Sequence, residues 1–108
     1  MIEAPELRYM SYKSGRIAYR ESGAGRPIFL LHGMNGASRS WAYLFHSLKA
    51  SFRLIAWDAP SFGASDVFGN EVKDFKSAAE ALMKNLEVQD ADVIGHSMGG
   101  LEAKQLAP

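Results

Sequence analysis

Short apolar runs alternate with helix-patterned stretches, and this alternation constrains the chain more than any other feature. Ile28-Phe29-Leu30-Leu31 is apolar at every position, as suits a strand buried on both faces. Phe52–Trp57, apolar but for Arg53, reads as a second strand, and residues 91–95, apolar but for Asp92, as a short third. Between the first two, Trp41, Leu44, Phe45 and Leu48 recur at helical spacing, with Ser38 or Ser40 placed to cap the helix. Phe75, Ala78, Ala79, Leu82 and Leu86 mark another amphipathic helix before the third run. Asn70 is its candidate cap, although Lys73 three places on rules out a capping box. Residues 97–106 read as a further helix that starts directly from the third strand. Upstream, residues 7–12 and 16–21 read as an antiparallel hairpin around Lys13-Ser14-Gly15. The fold class is therefore α/β: an antiparallel hairpin, then parallel βαβ units with right-handed crossovers and helices on both faces. In such sheets ligands bind beyond the carboxyl ends of the strands.

The chemistry-bearing motifs fall at those ends. Gly95-His96-Ser97-Met98-Gly99 matches G-x-S-x-G after a strand and before a helix. A strand that reverses into a helix within one residue forces the central serine to positive φ. The residues two before and two after then approach closely, and Gly95 and Gly99 bring no side chain to clash. Free N–H groups at the helix start face Ser97, and the helix dipole favours negative charge there. The Met98 N–H is thus placed to bind a developing oxyanion. Two more motifs follow the earlier strands: His32-Gly33-Met34-Asn35-Gly36, and Asp58-Ala59-Pro60-Ser61-Phe62-Gly63-Ala64-Ser65.

In order and spacing these three motifs resemble the first half of an α/β-hydrolase, and the resemblance covers nearly the whole chain. It implies a catalytic nucleophile at Ser97 and a second oxyanion donor at the Met34 N–H. It implies that His32 fixes its loop by hydrogen bonding and is not the catalytic base. Asp58 and Ser65 organise their own loop; the family draws its triad acid from a later strand. Ser61 departs from the glycine usual at its position, which bears on the backbone of that turn. His46 reads as a surface or boundary residue, His96 as structural, and the side chains of Met34 and Met98 as flexible apolar filler.

The family order is serine, then acid, then histidine. Residues 98–108 contain Glu102 and no histidine. Residues 1–108 are thus expected to form one incomplete domain lacking the later strands, the cap, the triad acid and the histidine, and the chain alone is not expected to be catalytically competent. A parallel sheet ending at the elbow strand would leave an open edge available for association. The expected activity of the complete enzyme is hydrolysis of a small ester, lactone or related acyl compound through an acyl-enzyme on Ser97. The alternative is a non-catalytic binding protein on the same scaffold.

Lys and Arg number 12, as do Asp and Glu, so no basic excess points to nucleic acid. The absence of cysteine excludes disulfides and thiolate metal sites and fits a cytoplasmic location. The three histidines form no metal-spaced set, and no cofactor is implied. Residues 1–6 lack the pattern of a signal peptide, and no apolar run approaches the roughly 20 residues of a membrane span.

Overall fold

The computed structural model describes residues 2–33, 36–67 and 72–96. Strands β1 (Arg8–Tyr12) and β2 (Gly15–Ser22) form the hairpin. Strand β3 (Arg26–Leu31) leads through a 3-10 turn (Ser38–Trp41) into helix α1 (Ala42–Leu48). Strand β4 (Phe52–Trp57), helix α2 (Val72–Asn85) and strand β5 (Asp92–Gly95) follow. The sheet order is β1-β2-β4-β3-β5. The pairs β1–β2 and β2–β4 are antiparallel; β3–β4 and β3–β5 are parallel.

The apolar run of β3 divides between two cores because successive side chains point to opposite faces. Ile28 and Leu30, with Leu54 and Ala56 of β4, pack on Phe45 of α1, and Trp41, Leu44 and Leu48 border this cluster. Phe29 and Leu31, with Ile55 and Trp57, pack on Phe75, Ala78, Ala79 and Leu82 of α2. The i, i+3, i+4, i+7 spacing of that last set gives α2 its apolar stripe. The chain steps from β3 to β4 in one direction and from β4 past β3 to β5 in the other. Its two helices lie on opposite faces, so both crossovers share one hand, as the rule for parallel units requires.

Two local details differ from the sequence expectation. Gly15 pairs with Tyr12 as a strand residue, so the hairpin turn is Lys13-Ser14, with Lys13 at φ 51°. Neither serine caps α1, whose N-cap is Trp41 without a side-chain bond; Ser40 instead accepts the Ala37 N–H at 3.2 Å at the start of the 3-10 turn, and Ser38 is used elsewhere. Asn70 lies outside the described residues. Helix α2 ends in a Schellman arrangement: Val88 N–H donates to Met83 C=O and Glu87 N–H to Lys84 C=O, with Glu87 at φ 59°.

The Arg26 guanidinium grips both oxygens of Asp92, at 2.7 and 3.1 Å, tying the start of β5 to the start of β3. The outer edge of β5 carries no strand among the described residues. Among those residues, no helix is long and apolar enough to cross a membrane.

Phe29 is fully buried and meets the Trp57 ring edge-on at 5.4 Å. Phe29→Ala is expected to cost about 3–5 kcal/mol, as other buried Phe truncations do. Urea unfolding should show a lower midpoint with an unchanged slope. A loss below about 1 kcal/mol would mean that this contact does not organise the core.

Candidate active site

The carboxyl ends of β3, β4 and β5 meet, and the loops after β3 and β4 leave from there. Neighbouring strands β3 and β4 send the chain to opposite faces, which opens a crevice between their ends. Loop residues 32–37 and the loop after Trp57 are joined across it by two contacts. Ala59 N–H donates to His32 Nε2 at 3.0 Å. Ser38 N–H donates to Asp58 Oδ1 at 2.6 Å. Both ends of the first loop therefore stand on two consecutive residues of the second. Gly36 N–H closes a turn onto Gly33 C=O at 3.0 Å.

His32 is buried, and its contacts define its protonation state. Nε2 accepts a backbone N–H, so it carries no proton. Nδ1 lies 2.7 Å from Gly33 C=O and must be the donor. The ring is the neutral Nδ1–H tautomer, held edge-on against Phe62 at 5.4 Å. Burial lowers its pKa below the ordinary 6.5, against smaller upward pulls from Gly33 C=O and the Asp58 charge. His32 is thus a loop-fixing residue, as its motif implies. His46 and His96 are exposed.

Asp58 is buried and shares its carboxylate between two backbone donors, with Ala64 N–H on Oδ2 at 2.9 Å. Its N–H donates to Ala18 C=O and its C=O accepts the Ser65 hydroxyl. That hydroxyl oxygen also accepts Ala18 N–H at 2.8 Å, so Ser65 extends the β2 ladder where β4 has ended. Both residues organise the loop, as expected from the motif. Gly63 turns at φ 51°, and a Cβ there would lie 2.4 Å from Asp58 Oδ2. Ser61 adopts φ 74°, so the serine occupies the left-handed conformation that glycine favours.

The third strand reaches the same place. Leu31 pairs with Gly95, and His96 N–H donates to Leu31 C=O at 3.0 Å. The residue before the His32-Gly33 motif is therefore hydrogen-bonded to the residue before Ser97. Ser97, Met34 and Met98 lie outside the described residues.

Sequence reading missed Arg20. From β2 its Nε donates to the Ser38 hydroxyl at 2.9 Å and its Nη1 to Pro5 C=O. No local pattern signals such a contact, because its partners are 18 and 15 residues away in the chain. Phe62 was also passed over as a loop residue, yet it packs between His32 and Phe75. Among the described residues, no cluster of three or more His, Cys, Asp or Glu is arranged to hold a metal. A cavity of about 660 Å³ lies between α2 and the sheet, lined by Phe29, Met83, Val88, Ala91 and Val93 among others. Among the described residues, none of the strand-end loops lines it.

A family model described as alpha/beta hydrolase fold matches residues 26–108. The chain is 31% identical over 99 residues to a 2-hydroxy-6-oxononadienedioate/2-hydroxy-6-oxononatrienedioate hydrolase of Comamonas testosteroni, covering 85% of this chain and 35% of that protein. It superposes on the crystal structure of a bromoperoxidase from Bacillus anthracis with TM-score 0.85 at 31% identity, covering 94% of this chain and 38% of that one. An epoxide hydrolase from Vigna radiata shares the fold, with TM-score 0.86 at 21% identity over 94% of this chain and 34% of that one. The chain spans about a third of the length of the curated relatives it matches.

Two outcomes follow from this geometry. Ser61→Gly should change the stability of the fold by less than about 1 kcal/mol, because relief of the left-handed conformation is set against loss of the serine's own contact. Gly63→Ala should destabilise it, because the added carbon strikes the Asp58 carboxylate; both are read from urea midpoints. For pH, the folded chain holds His32 neutral below 6.5 while the unfolded chain takes up the proton. The stability due to this site is complete above 6.5 and declines as pH falls from there through the lowered folded value. Comparing urea midpoints at successive pH values, His32→Gln should flatten this part of the decline. An unchanged slope in the variant would reject the assignment.

Proposed function

This chain belongs to the α/β-hydrolase family, and from that premise we propose that it carries the nucleophile of a serine hydrolase, Ser97. The supporting observation is the His96 N–H to Leu31 C=O bond at 3.0 Å. It joins the two strand ends from which the G-x-S-x-G and His-Gly motifs continue. The segments bearing the Ser97 hydroxyl and the N–H groups of Met98 and Met34 thus leave the sheet from paired positions. Acyl transfer needs this combination, a nucleophile and two oxyanion donors sharing one locus.

In this reading Ser97 Oγ bonds to the carbonyl carbon of a small ester, lactone or related acyl compound. Its proton passes to a histidine base that, in family order, follows later in the polypeptide. The carbonyl oxygen takes up the negative charge and is held by the Met34 and Met98 N–H groups. Collapse expels the leaving group with that proton and leaves an acyl-serine, which water hydrolyses. The named relatives are hydrolases of a dienedioate and of epoxides and a bromoperoxidase. A serine at position 97, rather than an aspartate, favours acyl chemistry over dehalogenation.

A fluorophosphonate probe on the intact protein tests this. It should attach to Ser97, located by peptide mass spectrometry, and Ser97→Ala should abolish the adduct. Folded intact protein that takes no label at Ser97 would instead favour a binding protein on the hydrolase scaffold.

A further inference from the structure

Arg20 occupies an unusual position for a half-buried cation. Among the described residues no carboxylate lies within ion-pair distance of it. Its guanidinium is spent on two neutral oxygens, the Ser38 hydroxyl and Pro5 C=O. Ser38 is fully buried, and its own N–H donates to Asp58 Oδ1. A positive group on β2 and a negative group just past the end of β4 are thus bridged by a single serine. That serine is where the loop after β3 re-enters regular structure, since Ser38 opens the 3-10 turn ahead of α1. The other end of the loop is held by His32 on Ala59, a contact that Arg20 does not touch.

We propose that Arg20 is a positioning residue for the oxyanion loop: through Ser38 it sets the height of the loop's exit against Asp58, and through Pro5 it ties the N-terminal segment to the same post. The proposal rests on the serine-hydrolase reading for its effect on chemistry, but its structural half does not. An error of about 1 Å in the placement of a catalytic group can cost on the order of 100-fold in rate. A loop anchored at one end only would incur part of that loss. The described hydrogen bonds of Arg20 go to Ser38 and Pro5, so its removal acts on the exit of the loop and changes none of the proposed reacting groups chemically.

The test uses Arg20→Met, which keeps the apolar stem and removes the donors, Ser38→Ala, and the double variant, all in the intact protein. Two quantities are read: the fluorophosphonate labelling rate per folded molecule, and amide hydrogen exchange at position 38, with Phe29 and Leu54 as sheet controls. Each single variant should slow labelling about tenfold, and the double variant should be no slower than either, because both break one linkage. Exchange at position 38 should quicken at least tenfold while the controls hold. Unchanged exchange at position 38, additive losses in the double variant, or losses explained by the unfolded fraction alone would overturn the proposal. If Arg20→Met does not fold, Ser38→Ala decides by the same readings. Should the wild-type protein take no label, the serine-hydrolase reading fails on its own, and exchange at position 38 still decides whether Arg20 holds the loop.

Discussion

A buried carboxylate persists only where its charge is answered, and Asp58 is answered by backbone amides. One oxygen takes the Ser38 N–H, 20 residues away, and the other takes the Ala64 N–H, six residues away. Its N–H reaches a third segment at Ala18 of β2, and its C=O takes the Ser65 hydroxyl next to Ala64. The end of β4, the exit of the loop after β3 and the return of the loop after β4 are therefore fixed by one residue. Its neighbour Ala59 supplies the N–H that holds His32. Truncating Asp58 would leave the buried Ser38 N–H unpaired, a penalty of roughly 1–3 kcal/mol, and the half-buried Ala64 N–H without its acceptor at a smaller cost. The crevice keeps its shape because its walls are bound to one another rather than to solvent.

Much of this was legible in the sequence wherever the signal was local. Phe52–Trp57 matches its observed strand to the residue, since the apolar run is bounded by a turn and by Asp58. Strand β3 begins two residues before its apolar run, at Arg26, because the Arg26–Asp92 contact and pairing with Phe52 extend it. Hydropathy does not register a polar strand end. The organising roles of His32, Asp58 and Ser65 could be read from their motifs. Their partners could not, because Ala18, Ser38 and Ala59 are ordinary residues made important by the sheet. Arg20 is the extreme case, a strand residue whose contacts all come from elsewhere in the chain.

The Ser38 and Ser40 assignment shows how such competition resolves. Either hydroxyl could cap a helix by local rules. Ser38 is held inward, where a guanidinium needs an acceptor and a carboxylate needs a donor. The more exposed Ser40 is left to bond the Ala37 N–H. A half-buried guanidinium gains more from a hydroxyl acceptor than a solvated turn start does, so the tertiary contact takes Ser38 and the local motif takes its neighbour.

Register is the last link between the sheet and the site. Strand β5 has four residues and, among the described residues, one paired neighbour, so its alignment rests on the Ile28–Asp92 to Leu31–Gly95 ladder. A slip of one residue would turn Val93 away from the α2 core and carry Ile94 toward it. It would also separate His96 from Leu31, and with them the strand ends from which the two motifs depart. The Arg26–Asp92 fork opposes that slip at the start of the ladder, and the His96 N–H bond opposes it at the end. The exposed fork adds little to stability. Its value is geometric, because it sets the position at which β5 hands the chain on to the elbow motif.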